Sequence, residues 1–291
     1  MSDIARMHVR IPVADGLSLA AERLGSPSSR PPVLLLHGGG QTRHSWGGAA
    51  EALAARGYEA WLLDLRGHGD SDWAADGDYS TEAMVEDLAV VRDHIGRRPV
   101  VVGASMGGLV GLVSEGRVHP GGLRALVLVD IATKLEDEGV DRIVTFMSAA
   151  PDGFASLEEA ADTVASYRPD RPRPQNLDGL RKNLRLGDDG RWRWHWDPAF
   201  LTGKSREGRR DPDALGEAAE ALRIPTLLVR GRMSDMLSLD GVEVFRRQCP
   251  HADFVDIADA GHMVVGDRND VFASAVIDFL DDLSSDEEVA S

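Results

Sequence analysis

A serine flanked by small residues follows one of the buried strands that the sequence predicts. The segment runs Gly103-Ala104-Ser105-Met106-Gly107, directly after the apolar run 100–102 and before a helical pattern. A nucleophile on a tight turn from strand to helix has strained backbone geometry, so the positions two before and two after it must be small. Such a turn also points a helix N-terminus at the Ser105 hydroxyl. This context predicts a nucleophilic serine, and the alternative is a glycine-rich turn that holds an ordinary serine.

Three consecutive glycines follow another predicted strand, in the segment His37-Gly38-Gly39-Gly40. Acyl transfer develops negative charge on a carbonyl oxygen, and two backbone N–H groups aimed at that oxygen would stabilise it. We predict the N–H groups of Gly39 and Met106 as these two donors. The alternative is a plain turn from strand to loop, and we expect His37 itself to be a structural, hydrogen-bonding histidine.

A serine nucleophile also needs a base and an acid that orients the base. His262 and Asp235 each follow a short apolar run, so both fall on the sheet edge that carries Ser105. The chain order is Ser105, Asp235, His262. Asp130 ends another predicted strand and could also reach a histidine across this edge. We expect Asp235 to be the acid because its strand is next to that of His262, and Asp130 is the alternative.

Short apolar runs rich in Val, Leu and Ile alternate with helical patterns over most of the chain. Continuous hydrophobicity predicts strands buried on both faces, and repeated strand, helix, strand units predict a mostly parallel sheet covered by helices. Segments 8–13 and 17–24 predict an antiparallel hairpin at the sheet edge. The sequence therefore predicts an α/β fold with an eight-stranded sheet and helices on both faces. The other strands are predicted at 33–36, 60–63, 100–102, 123–129, 226–229 and 254–257, and the helices at 46–56, 81–95, 106–119, 241–248 and 270–283.

The alternation of strands and helices stops between about residues 132 and 216. A Pro/Arg stretch at 168–174 cannot be helical throughout. Trp192, Trp194 and Trp196 recur with a period of two, which predicts an extended segment that either lines an apolar pocket or anchors the region. The region is predicted to be a helical insertion between two strands. Its helical patterns lie at 140–148, 157–167 and 177–186.

These motifs resemble the α/β-hydrolase fold family, in its serine-nucleophile branch of esterases and C–C hydrolases with a helical cap. The resemblance covers nearly the whole chain outside the insertion. It extends to segment 64–71, Asp-Leu-Arg-Gly-His-Gly-Asp-Ser, whose glycines and Asp64 we expect to be structural. The chain departs from many capped relatives at Gly39 and Gly40, where those relatives have a bulky residue and a proline.

The resemblance implies a core domain of residues 1–132 and 217–291 and a cap of residues 133–216 over the active site. It also implies Gly39 and Met106 as the oxyanion donors. Serine at the nucleophile position argues against epoxide hydrolases and haloalkane dehalogenases, because these need a carboxylate and an ether on serine would be a dead end.

We therefore predict hydrolysis of a carboxylic ester, lactone or thioester through an acyl-enzyme, with His262 taking the Ser105 proton. Two alternatives stay open. One is carbon–carbon bond hydrolysis of a diketone-like substrate, and the other is a ligand-binding, receptor-like protein on the same fold.

The composition of the chain limits the classes of partner that we expect it to bind. Of 291 residues, 32 are Lys or Arg and 48 are Asp or Glu, so the formal net charge is −16 and nucleic acid is not expected to bind. No apolar run approaches the roughly 20 residues that span a bilayer, so we expect no membrane contact and a cytoplasmic location. Cys249 is the one cysteine, and the histidines lack the spacing of metal ligands. A small-molecule substrate is expected, with neither metal nor cofactor.

Positive charge is concentrated in part of the insertion. Residues 166–210 contain 12 Lys and Arg against six Asp and Glu, a net charge of +6. This segment either attracts anionic substrates or docks by ion pairs on the acidic core.

Overall fold

The fold is built around a single large sheet. A computed structural model of the protein describes residues 4–167, 173, 177–202, 211–262, 264–267 and 269–289. The strands are β1 (Arg6–Pro12), β2 (Ser18–Leu24), β3 (Val33–Leu36), β4 (Ala60–Leu63), β5 (Val100–Ala104), β6 (Ala125–Val129), β7 (Leu184–Leu186), β8 (Trp192–Trp194), β9 (Thr226–Gly231) and β10 (Asp253–Ile257). Eight of them pair in the order β1-β2-β4-β3-β5-β6-β9-β10, and β7 pairs with β8 alone. The predicted eight-stranded α/β fold is confirmed.

The sheet is parallel from β4 to β10, and its antiparallel part is the predicted edge hairpin. β1 pairs antiparallel with β2, and β2 pairs antiparallel with β4. The turn between β1 and β2 contains Asp15 and Gly16, both with positive φ, as a tight hairpin connection requires.

The described part of the chain contains ten α-helices. They are α1 (Gly47–Ala55), α2 (Thr81–Ile95), α3 (Met106–Val113), α4 (Asp137–Met147), α5 (Leu157–Tyr167), α6 (Asp178–Arg181), α7 (Pro212–Ala221), α8 (Leu239–Gln248), α9 (Val264–Asp267) and α10 (Asn269–Val289). The helix predicted at 106–119 ends earlier, because a π-helical segment, Ser114–Val118, replaces its last turns. None of the helices in the described ranges is long and apolar enough to cross a bilayer.

Two cores explain why the central strands are apolar at every position. Successive side chains of a strand point to opposite faces of the sheet. Leu34 and Leu36 of β3 therefore pack in one cluster with side chains of α2, α3 and α8. Val33 and Leu35 pack in the other cluster, with side chains of α1 and α10. Both faces are covered, so the strand ends form a rigid edge for the loops that follow them.

The region between β6 and β9 has its own small cluster, built from Phe154, Ala160, Ala161, Leu180 and Leu184. The helices predicted at 140–148 and 157–167 correspond to α4 and α5. The predicted Pro/Arg stretch lies outside the described residues apart from Arg173.

The helix predicted at 177–186 is wrong in its second half. Only Asp178–Arg181 is helical, and Leu184–Leu186 is a strand that pairs antiparallel with Trp192–Trp194. The segment alternates Leu, Arg, Leu, and cross-strand packing of Leu184 against Trp194 overrides its local helical pattern.

Asp64 ties together the loops that follow β3 and β4. Its side chain is fully buried and accepts hydrogen bonds from the backbone N–H of Arg43 at 2.6 Å and of Asp70 at 2.9 Å. It also pairs with the Arg43 guanidinium. Gly69 has positive φ, and a Cβ there would lie 2.2 Å from an Asp64 carboxylate oxygen. This contact explains why a glycine stands beside Asp64.

We expect Asp64→Asn to lower the free energy of unfolding by about 3 kcal/mol. This value is at the lower end for a broken buried pair, because Asp70 still pairs with the Arg43 guanidinium. Urea denaturation measures the change. Glu243→Gln is the control, since Glu243 and Arg247 form an exposed pair at 3.8 Å that contributes less than about 1 kcal/mol. Equal effects of the two substitutions would contradict the role of Asp64.

Candidate active site

Ser105 occupies a strained position between β5 and α3. Its φ of 46° and ψ of −114° lie in a region that side-chain-bearing residues rarely adopt. The turn is tight enough to exclude side chains nearby. A Cβ on Gly107 would lie 2.5 Å from the Leu36 carbonyl oxygen, and one on Gly103 would lie 2.4 Å from the Gly107 backbone. The two glycines are therefore required by packing, as the motif predicts.

His262 pairs with Asp130. Its Nδ1 lies 2.7 Å from Oδ2 of Asp130, which follows β6 and is fully buried. The other contacts of this carboxylate come from the end of β9 and the loop after it, where the Gly231 N–H donates to Oδ1 at 3.0 Å and the Ser234 hydroxyl donates to Oδ2 at 2.5 Å. With Nδ1–H donating to the carboxylate, Nε2 of a neutral His262 is left as the acceptor.

The structure does not bring Asp235 to His262, which differs from the preferred assignment of the sequence. The Asp235 carboxylate instead pairs with the Arg142 guanidinium of α4 at 2.7 Å, and both side chains are substantially exposed. The loop after β9 turns so that Ser234, one residue earlier, takes the inward position against Asp130. The geometry thus favours the alternative acid, Asp130.

The glycine loop lies beside Ser105. A Cβ on Gly38 would be 3.3 Å from Cβ of Ser105, and Gly39 lines the same cavity as Ser105 and His262. Met106 is the first residue of α3, so its N–H is one of the helix-start donors that have no partner within the helix. Gly39 and Met106 therefore line the same cavity as Ser105, and their role as oxyanion donors stays a prediction.

A cavity of about 650 Å³ opens over these residues. Its floor is formed by the strand-end loops of the sheet, and its walls come largely from the region between β6 and β9. Most of the lining surface is apolar, and the polar side chains that line the cavity include Gln41, Thr133, Lys134, Asp137 and Asn183. The apolar side chains include Val140, Ile143, Phe146, Met147, Trp194 and Trp196.

Comparison with known proteins places this geometry in a family. The model of the alpha/beta hydrolase fold matches residues 31–268. The chain belongs to the α/β-hydrolase fold family. This α/β-hydrolase is 31% identical over 258 residues to an esterase of Mycobacterium tuberculosis, which covers 86% of this chain and 82% of the esterase. The predicted family and the predicted class of enzyme, a hydrolase, are confirmed.

Two further relatives have similar coverage. A 3-hydroxybutyrate-oligomer hydrolase of Cupriavidus necator is 28% identical over 257 residues, 84% of this chain and 86% of that protein. The crystal structure of an alpha/beta hydrolase from Novosphingobium aromaticivorans has a TM-score of 0.79 and 25% identity, and covers 97% of this chain and 99% of its own. The likeness therefore includes the region between β6 and β9.

Three buried histidines lie behind the glycine loop of this α/β-hydrolase. His37 accepts from the Leu65 N–H at 3.0 Å and donates through Nδ1 to the Gly38 carbonyl at 2.8 Å, as expected of a structural histidine. Burial lowers its pKa. His68 and His195 follow it, with ring centroids 5.2 Å and 5.9 Å apart along the row. Burial lowers the pKa of His195 to about 3. His195 was not predicted as a site residue from the sequence. Its place between Trp194 and Trp196 in the period-two pattern puts it on the opposite side of the extended segment from the two tryptophans.

The tryptophans both line the cavity and anchor the region. Trp194 and Trp196 stack with their ring centroids 4.9 Å apart, and both face the cavity. Trp196 is also almost fully buried. Trp192 lies apart from them, beneath the Arg181 guanidinium. Trp196 therefore both lines the apolar cavity and anchors the region, the two alternatives that the sequence left open.

The described cations of segment 166–210 bind mainly to carboxylates and carbonyls of the region between β6 and β9. Arg193 pairs with Asp189, Arg173 with Asp162, and Arg191 donates to the carbonyls of Asp152 and Gly153. Arg185 instead donates to the Gly69 carbonyl of the core. Cations at 168, 171, 204, 206, 209 and 210 lie outside the described residues. None of these described pairs of Arg173, Arg191 and Arg193 reaches a carboxylate of the sheet domain, and attraction of anionic substrates stays a prediction.

We expect His195 to make the protein less stable in acid. The unfolded chain binds a proton at His195 near pH 6.5, whereas the folded chain does so only near pH 3. Between these values the unfolded state binds more protons, so the free energy of unfolding falls by up to about 1.4 kcal/mol per pH unit as the pH decreases. His195→Gln should remove this contribution.

Urea denaturation of both proteins from pH 4 to pH 8 measures the difference. The slope of stability against pH should be shallower for His195→Gln between pH 4 and 6, and the two profiles should run parallel above pH 7.5. Identical slopes throughout would show that His195 titrates alike in both states.

Proposed function

We propose that this α/β-hydrolase cleaves carboxylic esters through an acyl-enzyme formed on Ser105. The observation that carries the proposal is the 2.7 Å contact between His262 Nδ1 and the buried Asp130 carboxylate, in the cavity that Ser105 also lines. Ser105, Asp130 and His262 follow β5, β6 and β10, and the ends of these strands lie along the same edge of the sheet. The names of the esterase and of the 3-hydroxybutyrate-oligomer hydrolase support ester cleavage as the reaction.

The proposed acylation begins with proton transfer from the Ser105 hydroxyl to Nε2 of His262. The serine oxygen attacks the ester carbonyl carbon, and the carbonyl oxygen becomes an oxyanion that the N–H groups of Gly39 and Met106 stabilise. Asp130 stabilises the imidazolium that forms and holds the ring in the required tautomer. The imidazolium then gives its proton to the leaving alcohol, and an acyl ester on Ser105 remains.

Deacylation runs through the same groups. His262 takes a proton from water, which attacks the acyl carbonyl carbon and forms a second oxyanion. Collapse of this intermediate breaks the bond to Ser105, which recovers its proton from His262, and the carboxylic acid product leaves. The hydrogen bonds from Gly231 and Ser234 hold the Asp130 carboxylate in place against His262 during both steps.

The cavity supports an ester with a sizeable apolar part. Its volume of about 650 Å³ falls in the range of small-molecule sites, and aromatic and aliphatic side chains form most of its wall. We take residues 133–216 as the cap, since α4, β8 and their connections supply most of that wall. Extra methylene groups on the acyl chain should therefore gain binding energy, up to about 0.8 kcal/mol for each fully buried group.

Ser105→Ala should lower kcat/KM for p-nitrophenyl butyrate by about 1,000-fold or more, because no acyl-enzyme can form. The wild type should cleave p-nitrophenyl butyrate and octanoate more efficiently than the acetate. Ser274→Ala, on the exposed face of α10, is the matched control and should leave the rates unchanged. Hydrolysis that survives Ser105→Ala would rule out the serine mechanism.

The same assay separates the two alternative functions. Turnover of a vinylogous diketone with no turnover of esters would favour carbon–carbon hydrolysis. Tight binding of such compounds by the wild type with no turnover of either class would favour a receptor-like protein.

Asp130→Asn should reduce kcat by about 1,000- to 10,000-fold, since the amide cannot stabilise the imidazolium and favours the wrong tautomer of His262. Asp235→Asn should change kcat by less than about threefold, because Asp235 pairs with Arg142 on the surface. Steady-state kinetics on p-nitrophenyl butyrate measures both variants. A larger loss for Asp235→Asn would return the assignment to Asp235.

A further inference from the structure

The glycine loop is restrained internally by its hydrogen bonds with Gln41, whose N–H donates to the Gly38 carbonyl at 3.1 Å and whose Oε1 accepts from the Gly38 N–H at 3.3 Å. Gly38, Gly39 and Gly40 have no side chains, and glycine has more backbone freedom to lose on folding than any other residue. Many capped members of the family have a proline in this loop, which would restrict the backbone covalently. Here further restraint comes from neighbouring groups, and the contacts of the Gly40 backbone identify them.

His68 holds one side of Gly40. The Gly40 N–H donates to Nε2 of His68 at 3.2 Å, and Nδ1 of His68 lies 3.1 Å from the Arg66 carbonyl oxygen. A carbonyl can only accept, so Nδ1 carries the proton and Nε2 is the acceptor. His68 is fully buried in the core loop after β4.

His195 holds the other side of Gly40, and it belongs to the cap. The Gly69 N–H donates to Nδ1 of His195 at 2.8 Å, which leaves the proton on Nε2. Nε2 lies 3.3 Å from the Gly40 carbonyl oxygen and donates to it. The ring is nearly fully buried, and burial keeps it neutral, so it retains both an acceptor and a donor.

These contacts reach the Gly39 N–H through the peptide groups of the loop. The peptide between Gly39 and Gly40 is planar and trans, so the Gly39 carbonyl points opposite to the Gly40 N–H that binds His68. The His195 bond fixes the peptide between Gly40 and Gln41, and the Gln41 N–H of that peptide donates to the Gly38 carbonyl at 3.1 Å. The Gly38 carbonyl shares a planar peptide with the Gly39 N–H and also accepts from Nδ1 of His37 at 2.8 Å. Gly40 has positive φ, and a Cβ there would lie 3.0 Å from Cε of Met147 in α4, so the loop is also enclosed by the cap.

We propose that His195 is a positioning residue through which the cap completes the oxyanion site. Together with His68 it clamps Gly40 and so keeps the Gly39 N–H directed at the substrate carbonyl. This inference rests on the proposed serine mechanism. It predicts that loss of the His195 donor weakens stabilisation of the oxyanion more than it weakens substrate binding.

His195→Phe and His195→Gln test the clamp. Phenylalanine keeps the ring and removes both nitrogens, so kcat for p-nitrophenyl butyrate should fall about tenfold or more while KM changes less than threefold. Affinity for an alkyl boronic acid, which forms a tetrahedral adduct on the serine, should fall in parallel with kcat. Affinity for the butyrate product should not change. Glutamine can donate from Nε2 and should recover most of the loss.

Tyr79→Phe is the matched control. The Tyr79 hydroxyl donates to Asp197 at 2.5 Å, two residues along from His195, and so joins the same cap segment to the core without touching Gly40. This variant should lower Tm but leave kcat and boronate affinity unchanged. The inference is overturned if Tyr79→Phe reproduces the kinetic loss, or if His195→Phe lowers Tm alone.

Hydrogen exchange separates failure of the clamp from failure of the proposed function. Mass spectrometry of the peptide that spans residues 37–45 should show faster amide exchange in His195→Phe than in the wild type, whether or not esters are cleaved. Unchanged exchange would overturn the clamp. Faster exchange in a protein whose wild type cleaves no ester and binds no boronate would confirm the clamp on Gly40, and would overturn both the proposed function and the positioning of an oxyanion donor by His195.

Discussion

The buried carboxylate of Asp130 is the interaction on which the geometry of the site depends. An isolated charge inside a protein is costly, so each of its oxygens must be hydrogen-bonded. The donors come from Gly231 at the end of β9, from Ser234 in the loop after it and from His262 after β10. One charge directly after β6 therefore joins the ends of three adjacent strands, and His262 is held where those strands end.

A rigid sheet makes such an arrangement possible. The strands around Ser105 are apolar at every position because alternate residues enter the two cores on either side of the sheet. The nucleophile turn is packed as tightly as these cores, with Gly107 against the Leu36 backbone. The strained backbone of Ser105 is thereby imposed by its surroundings, which is the condition under which such strain persists.

Most of the fold and part of the site were predictable because they depend on local patterns. The bounds of β3 and β4 follow directly from continuous apolar runs between turn residues, and the turn at Ser105 follows from the small residues around it. The choice between Asp130 and Asp235 was not predictable. Both end or follow a strand on the same edge, and their roles depend on how one loop turns Ser234 inward and pairs Asp235 with Arg142 of α4. That pairing is a long-range contact which no local pattern encodes.

The cap segment from Trp192 to Asp197 shows how one local pattern serves two surfaces. In an extended chain, neighbouring side chains point to opposite sides. Trp194 and Trp196 therefore stack against the cavity, while His195 between them faces the core and reaches the backbone of Gly40 and Gly69. The period of two was visible in the tryptophans, but the partner of the intervening histidine was not, because a backbone carbonyl of a glycine loop leaves no mark in the sequence. A loop without side chains leaves room beside Ser105. The conformation of that loop is therefore held in part by the rings of His68 from the core and His195 from the cap.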